Sequence, residues 1–479
     1  MAMKVLLLTT PWSYFELKNP GFEKPEGLTR YRDASGQGSL FPYGLLQIAS
    51  LLRYSGHDVY LFDGYFKNIS DVSESIAKEN PQLIGINTPT CLWEKTKALL
   101  SKIRKCSPGA FLFLGGPHAL FAKNECLKES SELDAVITGE EWSVRELAQR
   151  IDSKLSIEGT AGVICRDDSK IINSAPHCYA HSLDELPLPA YELVNFKNHI
   201  PNIMFLDQMP FMHTFTSRGC SQRCGFCIYS YNNPLRFKSG DYLIKEVEYL
   251  TGRLGIKTIN FYDDCNIFSH DQDNAYNFCK LLRKMKMGQR PQWSIYLVNF
   301  SIKKEILKEM KESGCFRINC CVESGVQDNR DHIRGEIFPL EKISDKIKEI
   351  NKIGISTAAR FQFGIPGETY KQGLETIKFA CSLPLDYAYF IRAFIMPGSE
   401  IFNIYQKMGR IDPDPRTWNA YREFFNPDGM TMRELNKLIK SGYLRFYRRL
   451  HWWHRKAVAF RKYGLYGRYF QRIIINRAV

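Results

Sequence analysis

Short apolar runs followed by stretches of helical periodicity recur along most of this chain, and that alternation restricts it to an α/β fold. In the first 175 residues the runs are Lys4-Val-Leu-Leu-Leu8, Val59 to Asp63, Leu83 to Asn87, Phe111 to Leu114 and Ala135 to Thr138. Between the first two, Leu45, Leu46, Ala49 and Leu52 share one helical face that ends before Gly56. Buried strands alternating with helices predict a parallel, doubly wound, Rossmann-like sheet, with its ligand site at the carboxyl ends of the strands. The residues expected on that rim are Pro11 and Trp12, Asp63, Thr88 to Thr90, Gly115 to His118, and Gly139 to Glu141.

A polar, proline-bearing stretch with Ser182-Leu-Asp-Glu-Leu-Pro-Leu-Pro-Ala190 then interrupts the pattern. The reading places an N-terminal domain at 1–175, a linker at 176–205, a second α/β domain at 206–425 and a basic helical region at 426–479. In the second domain the strand Phe211 to Thr216 leads into Arg218-Gly-Cys220. Four more strands follow, each ending in a polar or glycine-bearing edge: Asp263-Asp264, Glu323-Ser-Gly325, Gly364 to Thr369, and Met396-Pro-Gly-Ser399. Helices between them stop at Gly314 and Gly354. Such edges collect on one rim of a parallel barrel, where barrels carry their chemistry.

Cys220, Cys224 and Cys227 fall on that rim. Thiolate-rich sites favour iron–sulfur clusters or zinc. A structural zinc would want a fourth Cys or His at a paired spacing, which the next thirty residues do not supply. An iron with an open position is the sharper reading. Fourteen cysteines without a secretory signal argue for reduced thiols, and a cytoplasmic location is expected. The formal charge of +14 is concentrated at one end: from Thr431 onward thirteen Lys and Arg face Glu434 alone, so this tail carries +12 of it.

The C-x3-C-x2-C spacing, with Phe226 before the last cysteine, resembles the radical S-adenosylmethionine (SAM) superfamily. The resemblance implies a partial (β/α)6 barrel and a 4Fe-4S cluster on Cys220, Cys224 and Cys227. It also implies SAM on the fourth iron, where one electron releases a 5'-deoxyadenosyl radical. By the same resemblance Phe226 contacts SAM, Tyr262, Asp263 and Asp264 lie near the SAM amino group, Glu323 and Ser324 near ribose and carboxylate, and Gly364, Pro366 and Gly367, with Glu368, near adenine.

The first domain resembles the cobalamin-binding domain that precedes one large radical SAM class, on Gly115-Gly-Pro-His-Ala119, Thr88-Pro-Thr90 and Gly139-Glu-Glu141. The resemblance implies cobalamin contacts from Pro11, Trp12, Asp63, Tyr65, Thr88, Thr90, Gly115, Gly116, His118, Gly139 and Glu140. Cobalamin proteins that supply a histidine below the cobalt use Asp-x-His-x-x-Gly; the stretch compared here is Asp63-Gly-Tyr65-Phe-Lys-Asn68, with no histidine. Water, nothing, or a side chain such as Tyr65 would then lie beneath the metal, and His118 is read as a loop or capping residue.

The tail alternates Leu438, Ile439, Tyr443, Phe446, Tyr447, Leu450 and Trp453 with Lys437, Lys440, Arg445, Arg448, Arg449, Arg455 and Lys456, an amphipathic basic helix. Docking on the barrel is its expected role. Peripheral membrane contact is the sharper alternative, and base stacking by Trp452, Trp453, Tyr466 and Tyr469 the third, nucleic acid being disfavoured. The family resemblance implies a methyltransferase acting on an unactivated carbon, fed electrons by a flavodoxin or ferredoxin type donor. The alternatives are a cyclase, oxidase or carbon-coupling enzyme on a lipid or tetrapyrrole-like substrate, and a non-catalytic iron–sulfur or zinc protein. A methylthiotransferase is disfavoured, since Pro11-Trp12 stands where its first N-terminal cysteine would be. Tyr229, Tyr231 and Tyr296 lie near the expected rims.

Overall fold

The computed structural model describes residues 2–12, 41–65, 67–167, 170–173, 175, 179, 182–196, 199, 208–228, 234–334, 338–419 and 422–449. It divides into two compact units. The first is built on a sheet in the order β2-β1-β3-β4-β5-β6-β7. Its strands are β1 (Lys4–Thr9), β2 (Asp58–Phe62), β3 (Leu83–Asn87), β4 (Phe111–Gly115), β5 (Ala135–Ile137), β6 (Val163–Asp167) and β7 (Lys170–Ile172). The first five pair in parallel, as their continuous apolar runs predict. Strands β6 and β7 add antiparallel at the edge, an extension outside the sequence expectation.

Alternate residues of these strands feed two cores. Leu6, Leu8, Ile84, Ile86, Leu112 and Leu114 bury one face with helices α2 (Ile69–Glu79) and α3 (Trp93–Cys106). Val5, Leu7, Leu83 and Phe113 bury the other with α1 (Tyr43–Tyr54) and, past the short helices α4 (Pro117–Ala122) and α5 (Asn124–Glu129), with α6 (Glu141–Asp152). Covering both faces is what a parallel sheet requires. Much of the expected linker joins this unit: Gln47 donates to the Pro187 carbonyl at 2.8 Å, and Leu183 and Leu186 pack on Leu51. The unit also takes in residues 412–424.

The second unit holds six parallel strands in sequential order: β8 (Phe211–Thr214), β11 (Thr258–Phe261), β12 (Gln292–Leu297), β13 (Cys315–Glu323), β14 (Ser356–Phe363) and β15 (Tyr387–Arg392). A two-stranded ribbon, β9 (Ser217–Arg218) and β10 (Arg236–Phe237), flanks them. Strand β12 is the one the sequence reading passed over. Its Trp293 is fully buried, stacked on Phe268 at 5.1 Å, with its indole N–H on the Ser313 carbonyl.

Outside the strands lie α7 (Gly240–Glu248), α8 (Ile267–His270), α9 (Gln272–Lys284), α10 (Lys304–Glu312), α11 (Gln327–Arg334), α12 (Leu340–Ile353), α13 (Tyr370–Ser382), α14 (Glu400–Lys407) and α15 (Met432–Tyr447). Helix α15 starts with a capping box between Thr431 and Glu434 and buries Leu435, Leu438, Tyr443, Phe446 and Tyr447. Its docking surface includes β15, where Tyr447 both donates to and accepts from Ala388. Packing is thus the role this helix takes. Arg449 belongs to the same surface: it covers the Phe446 ring at 3.8 Å and donates to the Cys381 and Leu383 carbonyls. Leu450, Trp452, Trp453, Arg455, Lys456, Tyr466 and Tyr469 lie outside the described residues, as do Tyr229 and Tyr231. Among the described residues no helix is long and apolar enough to cross a membrane.

Candidate active site at the barrel rim and a ligand cradle in the N-terminal unit

The cysteine loop starts where β8 ends, and a buried carboxylate from the next strand holds it there. Asp263 accepts the backbone N–H groups of Thr216 and Ser217 at 2.6 and 2.9 Å and both of their hydroxyls at 3.0 and 3.2 Å. Burial pushes its pKa up to about 7 against the pull of those four donors. This acid therefore braces the loop's shape. Asp264 is exposed and Tyr262 partly so, which leaves these two of the set facing the rim. Tyr262 meets the Tyr296 ring at 4.9 Å and the His213 ring at 5.3 Å.

Further on, the loop is strung between three elements. Gly225 donates to Ile333 of α11 at 3.0 Å and accepts from Ile401 of α14 at 2.9 Å, while the Phe226 carbonyl accepts from Met396 at 2.9 Å. Phe226 thus contributes its backbone to the anchoring. Cys224 is buried and Cys220 and Cys227 partly so. Among the described residues no three His, Cys, Asp or Glu side chains converge as a single ion would need. A cluster makes no such demand, because it spreads its thiolates over separate irons. The donor set suits a cluster better than a lone zinc.

A fourth thiol, absent from the sequence reading, touches this loop: Cys265 Sγ lies 3.3 Å from Cys220 Sγ. Its signal was its position, directly after Asp263-Asp264. The loop's far side is cationic. Glu323, fully buried with φ at +71°, takes Arg360 at 2.7 and 3.2 Å, Gln362 at 2.6 Å and Arg334 at 3.5 Å. Burial opposes its ionisation, but Arg360 and Arg334 outweigh that and hold the carboxylate below its usual range. Burial likewise pushes the Cys224 thiol up, with Arg334 pulling against it.

Glu323 and Ser324 are thus both engaged by their own chain, the Ser324 hydroxyl lying 3.2 Å from that of Thr376 and accepting the Val326 N–H. Gly364 and Gly367 adopt φ of +84° and +76°, open to glycine and costly for other residues. Glu368 fixes the turn by accepting the Gly364 N–H at 2.6 Å, and burial raises its pKa to about 7. Pro366 sits within this turn.

In the N-terminal unit the order β2-β1-β3 reverses at β1, and the expected rim residues follow the carboxyl ends of β1 to β5. Thr10, Thr96 and Thr88 form a hydroxyl chain with both steps at 2.8 Å. Trp12 donates its backbone N–H to Gly64 and packs edge-on to Tyr65 at 5.0 Å. Asp63 accepts the Tyr65 N–H, and Thr90 opens a short helical turn before α3. A side chain at Gly115 would enter open space, whereas one at Gly116, at φ +86°, would strike Asn87. Gly139 answers to internal packing, since a Cβ there would come within 2.1 Å of the Ser143 hydroxyl. Glu140 sits at the start of α6.

His118 is neither an exposed loop residue nor a cap. It is 4% exposed and lies against Trp93 at 4.5 Å, with both ring nitrogens unpartnered. Burial lowers its pKa to about 4, so the ring is neutral. An open glycine beside a buried imidazole with spare donor and acceptor capacity suits a large polar ligand lying across the strand ends.

The chain matches the family model of the radical SAM superfamily over residues 214–380 and that of the B12 binding domain over residues 32–148. The first span takes in all three cysteines and every rim residue from Tyr262 to Gly367. The class the two matches define is a radical SAM domain preceded by a B12-binding domain, and the groups such domains take are a 4Fe-4S cluster with SAM and cobalamin. It is 28% identical over 424 residues to an uncharacterised methyltransferase of Pyrococcus horikoshii, covering 85% of this chain and 88% of the relative. It is 24% identical over 430 residues to cytidylyl-2-hydroxyethylphosphonate methyltransferase of Streptomyces wedmorensis, covering 78% and 79%. The radical SAM methyltransferase TsrM of Kitasatospora setae, solved with cobalamin and a [4Fe-4S] cluster, superposes with a TM-score of 0.68 at 14% identity, covering 93% of this chain and 89% of that one. At that identity the likeness carries the fold.

Proposed function

We propose that this enzyme transfers a methyl group to an unactivated carbon of a small-molecule substrate. When bound, the cluster supplies the electron that splits the SAM sulfonium, and cobalamin supplies the methyl group. Cys220, Cys224 and Cys227 hold the cluster on a loop whose shape Asp263 sets. Asp264, exposed on the rim, accepts a ligand ammonium. The Gly364 to Gly367 turn offers backbone groups to a flat base edge, its positive φ at both glycines setting the shape of the turn. Gly115, His118, Trp12 and Tyr65 receive the corrin and its nucleotide tail.

The observation that carries this reading is the pairing, in one chain, of a three-thiol loop at a parallel-barrel rim with a cradle formed by an open glycine and an unpartnered imidazole. Both relatives named above are methyltransferases, which supports methyl transfer over oxidation or cyclisation. The electron comes from an external donor of the flavodoxin or ferredoxin type. Helix α15 is engaged in packing, so a lipid contact by the tail rests on the cations beyond Arg449.

The test is product analysis of anaerobically purified, reduced enzyme with candidate substrates. Methyl transfer requires that SAM yield both 5'-deoxyadenosine and S-adenosylhomocysteine, together with a methylated product. Deoxyadenosine alone would reject it in favour of oxidation or cyclisation.

A further inference from the structure

Helix α11 carries two arginines one turn apart, Arg330 and Arg334, and both are buried. Arg330 is 0% exposed. Its Nη1 donates to the Phe338 carbonyl at 2.9 Å, while Nε and Nη2 have no partner. Arg334 donates to the Val298 carbonyl at 3.1 Å and reaches Gln222 of the cysteine loop at 3.4 Å, with its Nε unpartnered. In the described residues the carboxylates within electrostatic reach of Arg330 are Glu323, which Arg360 and Gln362 already occupy, and its chain neighbour Asp331, which accepts from Gln327. Three guanidiniums, of which Arg360 is partly exposed, against two carboxylates leave one positive charge in excess, and the side chain with two unpartnered nitrogens is Arg330.

An uncompensated buried charge costs several kcal/mol, and like charges at i and i+4 on a helix repel. An anion close by would relieve both costs. The backbone supplies the connection: Ile333, between the two arginines, accepts the N–H of Gly225, the residue after Cys224. Cys224 also lies within electrostatic reach of both guanidiniums.

We infer that Arg330 is the outer counterion of the iron–sulfur cluster, its unpaired charge kept for the negative charge of the cluster and its thiolates. The inference rests on the reading of Cys220, Cys224 and Cys227 as cluster ligands. In this role Arg330 is a positioning and tuning residue. Outer-shell charge sets reduction potential, and a nearby cation favours the form with one more electron. Arg330 therefore makes the cluster easier to reduce, and it costs the cluster-free chain stability.

The experiment compares wild type, Arg330→Met and Arg330→Lys as full chains, by iron analysis, redox titration followed by the reduced-cluster EPR signal, and denaturant unfolding of the cluster-free forms. The expected result for R330M is a midpoint potential more negative than wild type, with a cluster-free form at least as stable. R330K should stay near the wild-type potential. Loss of the cluster from R330M but not from R330K would equally support the charge role. Equal potentials in wild type and R330M, or loss of the cluster from both variants, would overturn it. A wild-type chain without iron would instead refute the cluster reading beneath it.

Discussion

The Asp263 carboxylate accepts the Thr216 backbone N–H at 2.6 Å, so an acid at the end of β11 shapes the chain just before the first cysteine of the neighbouring strand's loop. Removing it leaves two buried backbone N–H groups without acceptors, at about 1–3 kcal/mol each. Asp263→Ala should lower unfolding free energy by about 2–6 kcal/mol and reduce iron bound per chain. A variant with wild-type stability and full iron content would show that the loop holds its shape without this brace.

Glycines on the N-terminal rim should divide by what faces them. Gly115→Val projects into open space, so it should leave thermal stability unchanged while weakening cobalamin binding at least about tenfold, read from the corrin absorption spectrum. Gly139→Ala drives a methyl group against Ser143, so it should destabilise by about 1–3 kcal/mol. The opposite pattern would remove Gly115 from the cradle.

His118 makes stability depend on pH. Its folded pKa of about 4 lies below its ordinary 6.5, so as pH falls below 6.5 the unfolded chain binds a proton that the folded chain refuses. Stability is then lost progressively through pH 4, by on the order of 3 kcal/mol. Urea unfolding of wild type and His118→Leu across that window tests this. The difference between the two proteins should shift in favour of the leucine variant as pH falls, and a difference independent of pH would contradict it.

Helix α15 approaches β15 through Gly442, where an added Cβ would lie 2.6 Å from the Phe390 ring. Gly442→Ala should cost about 1–3 kcal/mol through overpacking, measured as a lower melting temperature. An unchanged melting temperature would mean the helix contributes little to the barrel.

Much of this fold was legible because parallel strands buried on both faces leave uninterrupted apolar runs, as in Lys4 to Leu8 and Leu83 to Asn87. Strand β12 was harder: Gln292-Trp-Ser-Ile-Tyr-Leu297 mixes polar residues into its run, because Ser294 hydrogen-bonds to Asn260 inside the barrel. The cysteines were legible because their spacing is a chemical requirement in itself. The charge behind them was not, since Arg330 and Arg334 look in sequence like an ordinary solvated helix face until α11 is seen turned inward. Side-chain commitments were equally hidden: Asp263, Glu323 and Ser324 sit where the pattern puts them, yet their hydrogen bonds go to their own chain.

The most direct measurement is SAM cleavage by reduced, anaerobic protein in which Cys220, Cys224 and Cys227 are all replaced by alanine. Wild type should bind about four irons per chain and release 5'-deoxyadenosine, and the triple variant should do neither while remaining folded. Undiminished deoxyadenosine formation by the variant would contradict the assignment of these thiols as the seat of the chemistry.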